Sequence, residues 1–301
     1  MELDRRIKVL EVPGLEEPTL VAAWPGIGLV GYNAVEFLRT ALDPRPVARI
    51  EVDEFFSLQG VQVKDGLCLP VHFPTNTFYG WKDPGGKRDI LLFLGASQPI
   101  SGMEMPLASL VVEFALKCGV RQVITAAAMV TQIDHMAPSK IWAVAGRTED
   151  WGLLEKLGAQ KLQEGVIGGL NGLLVGVAQQ RGLNAACLMG EMPHYTTHIE
   201  NPKASLVVLE MLTAMLGITV DLGPLRERSR FVETQIHTFL QSARERTESQ
   251  ETPAAAGPEG SEETELADEE TRPEDESKEE ETEPGRVKKC PPSRGGGPTI
   301  N

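Results

Sequence analysis

The chain has 301 residues and a formal net charge of -14, of which residues 248–301, with 16 acidic and 6 basic side chains, carry -10. The body, at -4, lacks the concentrated Lys and Arg that phosphate binding needs, which excludes nucleic acid as a main partner. No stretch approaches the ~18 apolar residues of a membrane span, and the charged N-terminus, MELDRRIKVLEV, does not read as a secretory signal, so a cytoplasmic protein is expected.

In chain order, RIKVLEV and TLVAAW read as strands, and GYNAVEFLRTAL sets Val35, Leu38 and Leu42 on one helical face. VARIEVD returns to strand. In VQVKDGLCLPV the Asp65-Gly66 pair lies between apolar alternations, a hairpin signal because both turn positions need positive φ. DPGGK turns the chain into DILLFLG, an apolar run suited to a central strand. A helix from Met103 to Cys118 follows, closed by Gly119. VRQVITAAAMV and KIWAVAG are further strands, and EDWGLLEKLG is a short helix. In GVIGGLNGLLVGVAQQRG, Gly168, Gly172 and Gly176 recur every fourth residue, a spacing that favours close packing within the fold or between subunits. NAACLMGEM reads as a strand. Asn201 and Pro202 then supply a cap and first position for a helix that Gly217 stops. The last helix, LRERSRFVETQIHTFLQSARER, places Phe231, Ile236 and Phe239 on its apolar side.

This alternation predicts an α/β fold with a mixed central sheet flanked by helices. Residues 1–246 form the domain. Residues 247–301, rich in Glu, Pro, Ser, Thr and Gly and free of aromatics, form a disordered acidic tail that cannot bury enough apolar area to offset chain entropy. The four cysteines are far apart and show no C-x-x-C pairing, which argues against a zinc site or disulfide framework. Cys68, Cys118 and Cys187 are expected in the core, and Cys290 as an exposed thiol in the tail.

Gly26, Gly28 and Gly31 spell G-x-G-x-x-G between a strand and a helix, with Glu51 twenty residues after Gly31, as a dinucleotide fingerprint would have it. The same glycines serve equally as a tight strand-to-helix turn and a close helix–sheet approach. GASQPISGMEMP lies beyond a strand's carboxyl end, where Ser97, Gln98, Ser101 and Glu104 could meet a ligand, or where Ser101 simply caps a helix. GEMPHYTTHIENP gathers Glu191, His194, Tyr195 and His198, but its prolines favour a loop, and no further ligand makes His194 and His198 a metal site. Asp134-His135 has no nucleophile elbow beside it. No catalytic set, metal or cofactor is therefore assigned. Pro25, Gly26, Gly28, Gly31, Gln98 and Glu191 remain as candidate ligand-binding residues.

Taken together and in order, WPGIGLVG, DILLFLGASQP, GVIGGLNGLLVGVAQQRGLNAACLMGEMP and NPKASLVVLEMLTAMLGITVDLGPL resemble the proteasome assembly chaperone family, in its archaeal and bacterial branch. The similarity spans roughly residues 7–240 and leaves out the tail. It implies a phosphorylase-like three-layer sandwich, a homo-oligomer of three or more copies, and work done by binding protein subunits, proteasome-like ones among them. It also implies that Pro25 to Gly31 is a family signature rather than a dinucleotide site. Archaeal relatives that dock on the proteasome end in a hydrophobic-Tyr-any tripeptide. Here Ile300 stands at the tyrosine position, which argues against that device. The alternative is a nucleotide- or nucleoside-like ligand, or an enzyme, using the glycine turn with Gln98 and Glu191. A third reading is a purely structural oligomer.

Overall fold

The computed structural model describes residues 3–251 except 13, 59 and 87, and the side chains of 247–251 are not described. The strands are β1 (Ile7–Val9), β2 (Thr19–Ala23), β3 (Arg45–Ile50), β4 (Val63–Lys64), β5 (Leu67–Cys68), β6 (Asn76–Trp81), β7 (Ile90–Gly95), β8 (Gln122–Thr131), β9 (Ile141–Ala145), β10 (Gln160–Lys161) and β11 (Asn184–Pro193). The helices are α1 (Val30–Leu42), α2 (Glu104–Lys117), α3 (Trp151–Lys156), α4 (Gly169–Gln180), α5 (Pro202–Leu216) and α6 (Gly223–Glu251). The acidic segment beyond α6, with Cys290, lies outside the described residues.

Nine strands form one mixed sheet in the order β1-β3-β6-β7-β2-β8-β11-β9-β10. The centre, β7-β2-β8-β11, is parallel, while β6, β3 and β1 on one flank and β9 on the other pair antiparallel. Both faces of the centre are covered, which is why ILLFLG is apolar at every position and buried throughout. One apolar cluster lies between the sheet and α2 with α4, and the other between the sheet and α1 with α5. The expected α/β sandwich with a mixed sheet is present. Trp24, Phe93, Phe78 and Phe114 run through the first cluster with successive ring centroids 4.9, 4.6 and 4.5 Å apart.

Several local expectations hold for the reasons given. Asp65 (φ 51°) and Gly66 (φ 76°) form the hairpin turn between β4 and β5. The Asn201 side chain accepts a hydrogen bond from the Ala204 amide at 2.9 Å, with Pro202 opening α5 and Gly217 (φ 64°) closing it.

Others need correcting. Ser101 does not cap α2; the Glu104 carboxylate turns back to accept from the Gly102 amide at 2.7 Å. Cys68 is exposed on β5 rather than in the core, because the β4–β5 hairpin forms a separate two-stranded sheet. Of the glycine row, Gly168 precedes α4 as its cap and Gly176 faces open space, so only Gly172 is closely packed, against Ile167. Phe231 and Phe239 are 62% and 73% exposed: α6 packs on α5 through Leu225 and Ser229, which lie on another side of the helix.

Candidate functional site

The parallel strands β2, β7, β8 and β11 deliver four loops to one edge of the sheet, the carboxyl edge at which open α/β folds carry their sites. The first is the glycine turn after β2. Gly28 (φ 58°) and Leu29 (φ 50°) are left-handed, and this swings the chain sharply into α1. A Cβ on Gly28 would come within 2.8 Å of the Met192 side chain, and one on Gly31 would lie 2.0 Å from the Ala126 carbonyl oxygen. Gly31 is thus what lets α1 lie directly on β8, and Met192 fills the underside of the turn.

Hydrogen bonds from three neighbours hold the turn. Asn171, buried in the first turn of α4, accepts from the Trp24 amide at 2.9 Å and donates to the Trp24 carbonyl at 3.1 Å. Gln98, on the loop after β7, donates to the Pro25 carbonyl at 2.9 Å and accepts from the Leu170 amide at 3.1 Å. From the loop after β11, the Thr197 carbonyl accepts from the Gly28 amide at 3.4 Å, and the Asn201 amide donates to the Gly28 carbonyl at 2.9 Å. Of the candidate residues, Pro25, Gly26, Gly28, Gly31 and Gln98 therefore come together.

Glu191 is engaged elsewhere. Its buried carboxylate accepts from the Thr131 hydroxyl at 3.0 Å and the Lys140 amide at 3.3 Å, while its carbonyl accepts from the Ser139 hydroxyl. It ties the loop after β8 to β11 and borders a cavity of about 20 Å³, room for a single water. Glu51 is also distant from the turn in sheet order. It follows β3, which β6 and β7 separate from β2, and it pairs with Lys8 at 3.4 Å. The ribose-binding half of a dinucleotide fingerprint is missing, since that acid belongs at the end of the neighbouring parallel strand.

A second network joins the loops after β8 and β11 to α6. The His135 amide donates to the Tyr195 hydroxyl at 2.8 Å, and the His135 ring contacts that hydroxyl at 2.9 Å through Nδ1 and His237 Nδ1 at 3.3 Å through Nε2. Lys203 donates to the His135 carbonyl at 2.8 Å and pairs with Glu233 at 2.7 Å. His135 thus clamps α6, and the Asp134 carboxylate lies 3.6 Å from its Nδ1. His194 and His198 are exposed, and among the described residues no group of three His, Cys, Asp or Glu is placed to hold a metal. Asn171 and Lys203 were not singled out from the sequence. A lone Asn in an otherwise apolar helical stretch, GGLNGLLVGV, was the available signal for the first.

The loops so fixed display large apolar side chains to solvent. Ile27 is 51% exposed, Met136 53% and Ile199 46%, and Ile100 on the loop after β7 and Tyr195 on the loop after β11 are exposed as well. Between the Tyr195–Glu200 loop and α6 runs an open, mostly apolar groove of about 850 Å³, lined by Ile199, Val232, Ile236, Phe239 and Leu240 among others. No helix among the described residues is long and apolar enough to cross a membrane.

Comparison with known proteins agrees with this architecture. The MJ1210 protein of Methanocaldococcus jannaschii is 27% identical over 240 residues, covering 75% of this chain and 84% of that protein. The crystal structure of PbaA from Pyrococcus furiosus, described as an archaeal homolog of proteasome-assembly chaperone, matches with a TM-score of 0.61 at 26% identity, over 82% of this chain and 98% of that one. PbaB of the same organism, described as an archaeal proteasome activator, matches with a TM-score of 0.67 at 24% identity, over 77% and 97%. The proteasome-assembly chaperone homologue Rv2125 of Mycobacterium tuberculosis shares the fold, with a TM-score of 0.63 at 21% identity over 73% and 94%. The pattern of the PAC2 family matches residues 20–240, most of the chain, and the protein is a member of that family.

Proposed function

We propose that this chain is an assembly-chaperone-like protein of the cytoplasm, working as a homo-oligomer that binds other protein subunits rather than by chemistry. The observation that carries this reading is the apolar rim at the carboxyl edge of the parallel strands. Ile27, Ile100, Met136, Tyr195 and Ile199 stand exposed on loops that backbone and side-chain hydrogen bonds hold in place. Fixed, exposed apolar surface of this kind marks protein-binding sites. Kinship with PbaA, described as a homolog of proteasome-assembly chaperone, points to proteasome-like subunits as clients. In this reading Pro25, Gly26, Gly28, Gly31 and Gln98 shape the platform that presents Ile27, and Glu191 braces the neighbouring loop.

The test is to mix the purified full chain with separately produced archaeal 20S proteasome subunits and follow complexes on native gels. A complex or faster assembly is expected, weakened at least tenfold by Ile27→Asp or Met136→Asp. Absence of any complex or rate change with the wild-type chain overturns the client. The ligand reading is tested in parallel by thermal melts with nucleotides, nucleosides and phosphate. A ligand at ~100 times its dissociation constant adds about 2.7 kcal/mol, and a reproducible shift abolished by Gly28→Val would restore the turn as a small-molecule site.

A further inference from the structure

Leu58 and residues 60–73 lie between β3 and β6 in the chain, and they carry apolar surface that the described residues do not cover. Leu58, Val61, Val63, Leu67, Val71 and Phe73 are all exposed, Leu67 to 71%, and none belongs to either core cluster. At the centre of this segment β4 and β5 pair only with each other. An isolated two-stranded hairpin is marginal in water and gains stability by packing on something else.

We propose that this hairpin is an arm that docks in the groove between the Tyr195–Glu200 loop and α6 of a second copy of the chain. The inference rests on the homo-oligomer reading and says which surfaces make the oligomer. Both surfaces are apolar and unfilled within one chain: the arm offers Val63, Leu67 and Phe73, and the groove offers Ile199, Ile236 and Phe239. Residues 58–73 supply most of the roughly 20–30 residues that one side of a standard interface contains. The arm leaves the sheet on the β3 and β6 flank, whereas the groove adjoins the end of β11, across β2 in the sheet order. The contact is therefore head-to-tail, one patch against a different patch. Repeated from copy to copy in one direction, such a contact closes into a ring, in keeping with three or more copies, whereas a reciprocal exchange of arms closes at two. A second copy fits better than the chain's own acidic segment, because residues 252–301 offer only Leu266, Val287 and Ile300 as large apolar side chains.

Cys68 on the arm is exposed and gives a natural handle. In the full chain carrying Cys290→Ser, Phe239→Cys places a thiol on the groove, and Phe231→Cys places one on α6 away from the groove lining. Mild oxidation is expected to give a ladder of cross-linked chains with the first, none with the second, and none when Cys68→Ser is added. Leu67→Asp and Ile199→Asp, both at exposed positions, are expected to reduce the light-scattering mass to that of a single chain while leaving the circular dichroism spectrum unchanged. A wild-type oligomer that survives both Asp variants, with no ladder, overturns the arm and leaves the oligomer standing. A wild-type chain that stays monomeric at all concentrations overturns both. Leu67→Asp that abolishes binding of a proteasome subunit without changing the oligomer overturns the second copy as occupant.

Discussion

Gly31 shows how a residue can look like a ligand contact in the sequence and be a packing contact in the fold. Its missing side chain is what allows α1 to touch β8, where a Cβ would lie 2.0 Å from a backbone oxygen that cannot step aside. Gly31→Ala should therefore cost about 3 kcal/mol or more, the upper range for overpacking. Gly26, exposed and extended at φ -148°, meets only the Asn171 amide at 3.6 Å, so Gly26→Ala should be neutral or stabilise by up to ~1 kcal/mol. Urea unfolding of the two variants decides this; equal costs would show that the turn is constrained by something besides packing. Asn171 is the converse case, a polar residue whose importance no spacing announces. Asn171→Leu leaves the buried Trp24 amide and carbonyl unpaired, and the expected loss is about 2–4 kcal/mol in the same measurement. The thiols divide in the same way. Burial pushes Cys187 up to about 12 and Cys118 up to about 11, while Cys68 is exposed. Alkylation of the native chain should modify Cys68 well before Cys187, which should react only after unfolding. Peptide mapping with comparable early labelling at Cys187 would contradict the placement of β11.

At the scale of elements, the strands that were plain in the sequence are those with two covered faces, such as DILLFLG, and the helix that was plain at both ends is α5, with Asn201 and Gly217 at its termini. Less legible was α6. Its apolar residues follow helical spacing, but periodicity cannot say which side meets the body, and the structure buries Leu225 and Ser229 while leaving Phe231 and Phe239 outside. What fixes that choice is polar and long-range: Lys203 to Glu233, and His135 to His237. Lys203→Met removes the clamp and should cost about 1–2 kcal/mol, between the values for exposed and buried pairs. Amide exchange should quicken along residues 229–240 and stay unchanged in β8. The first edge strand has its own tie. The Arg6 side chain, then its backbone amide, holds the Asp4 carboxyl down at about 2 from its ordinary 3.8. A lowered folded value means stability fully present above pH 3.8 and lost as pH falls towards 2. The melting temperature of Asp4→Asn should therefore fall below wild type at neutral pH and approach it as pH falls through 2; a gap undiminished in acid would assign the loss to packing.

For the molecule as a whole, the sequence made the class of fold legible because strands and helices alternate with clear punctuation. It could not show how loops far apart in the chain meet. Gln98 joins Pro25 to Leu170, and Tyr195 joins His135, only once the sheet order is set. The same limit hid the apolar rim, whose members run from Ile27 to Ile199 along the chain. The charge division, by contrast, was open to reading and leads to a last prediction. Both core clusters are built from side chains between Leu3 and Leu225, whereas residues 252–301 contain no aromatic residue and much of the net charge. If the two parts are independent, a chain ending at Glu251 keeps every described core contact, and its melting temperature should match the full chain within about 1 °C. A contribution of 1 kcal/mol from the acidic segment would move it by roughly 2–4 °C in a body of this size, which calorimetry resolves readily. What truncation should change is solubility. Truncation lowers the net charge from -14 to -6 while Ile27 and Met136 stay exposed, and a smaller net charge weakens the repulsion that keeps chains apart. The shortened protein should precipitate at lower concentration, with the difference narrowing as salt screens the full chain's charge. A drop in melting temperature of several degrees would show that the acidic segment adds to the stability of the body, and equal solubility of the two forms would show that its charge is not what keeps the chains apart.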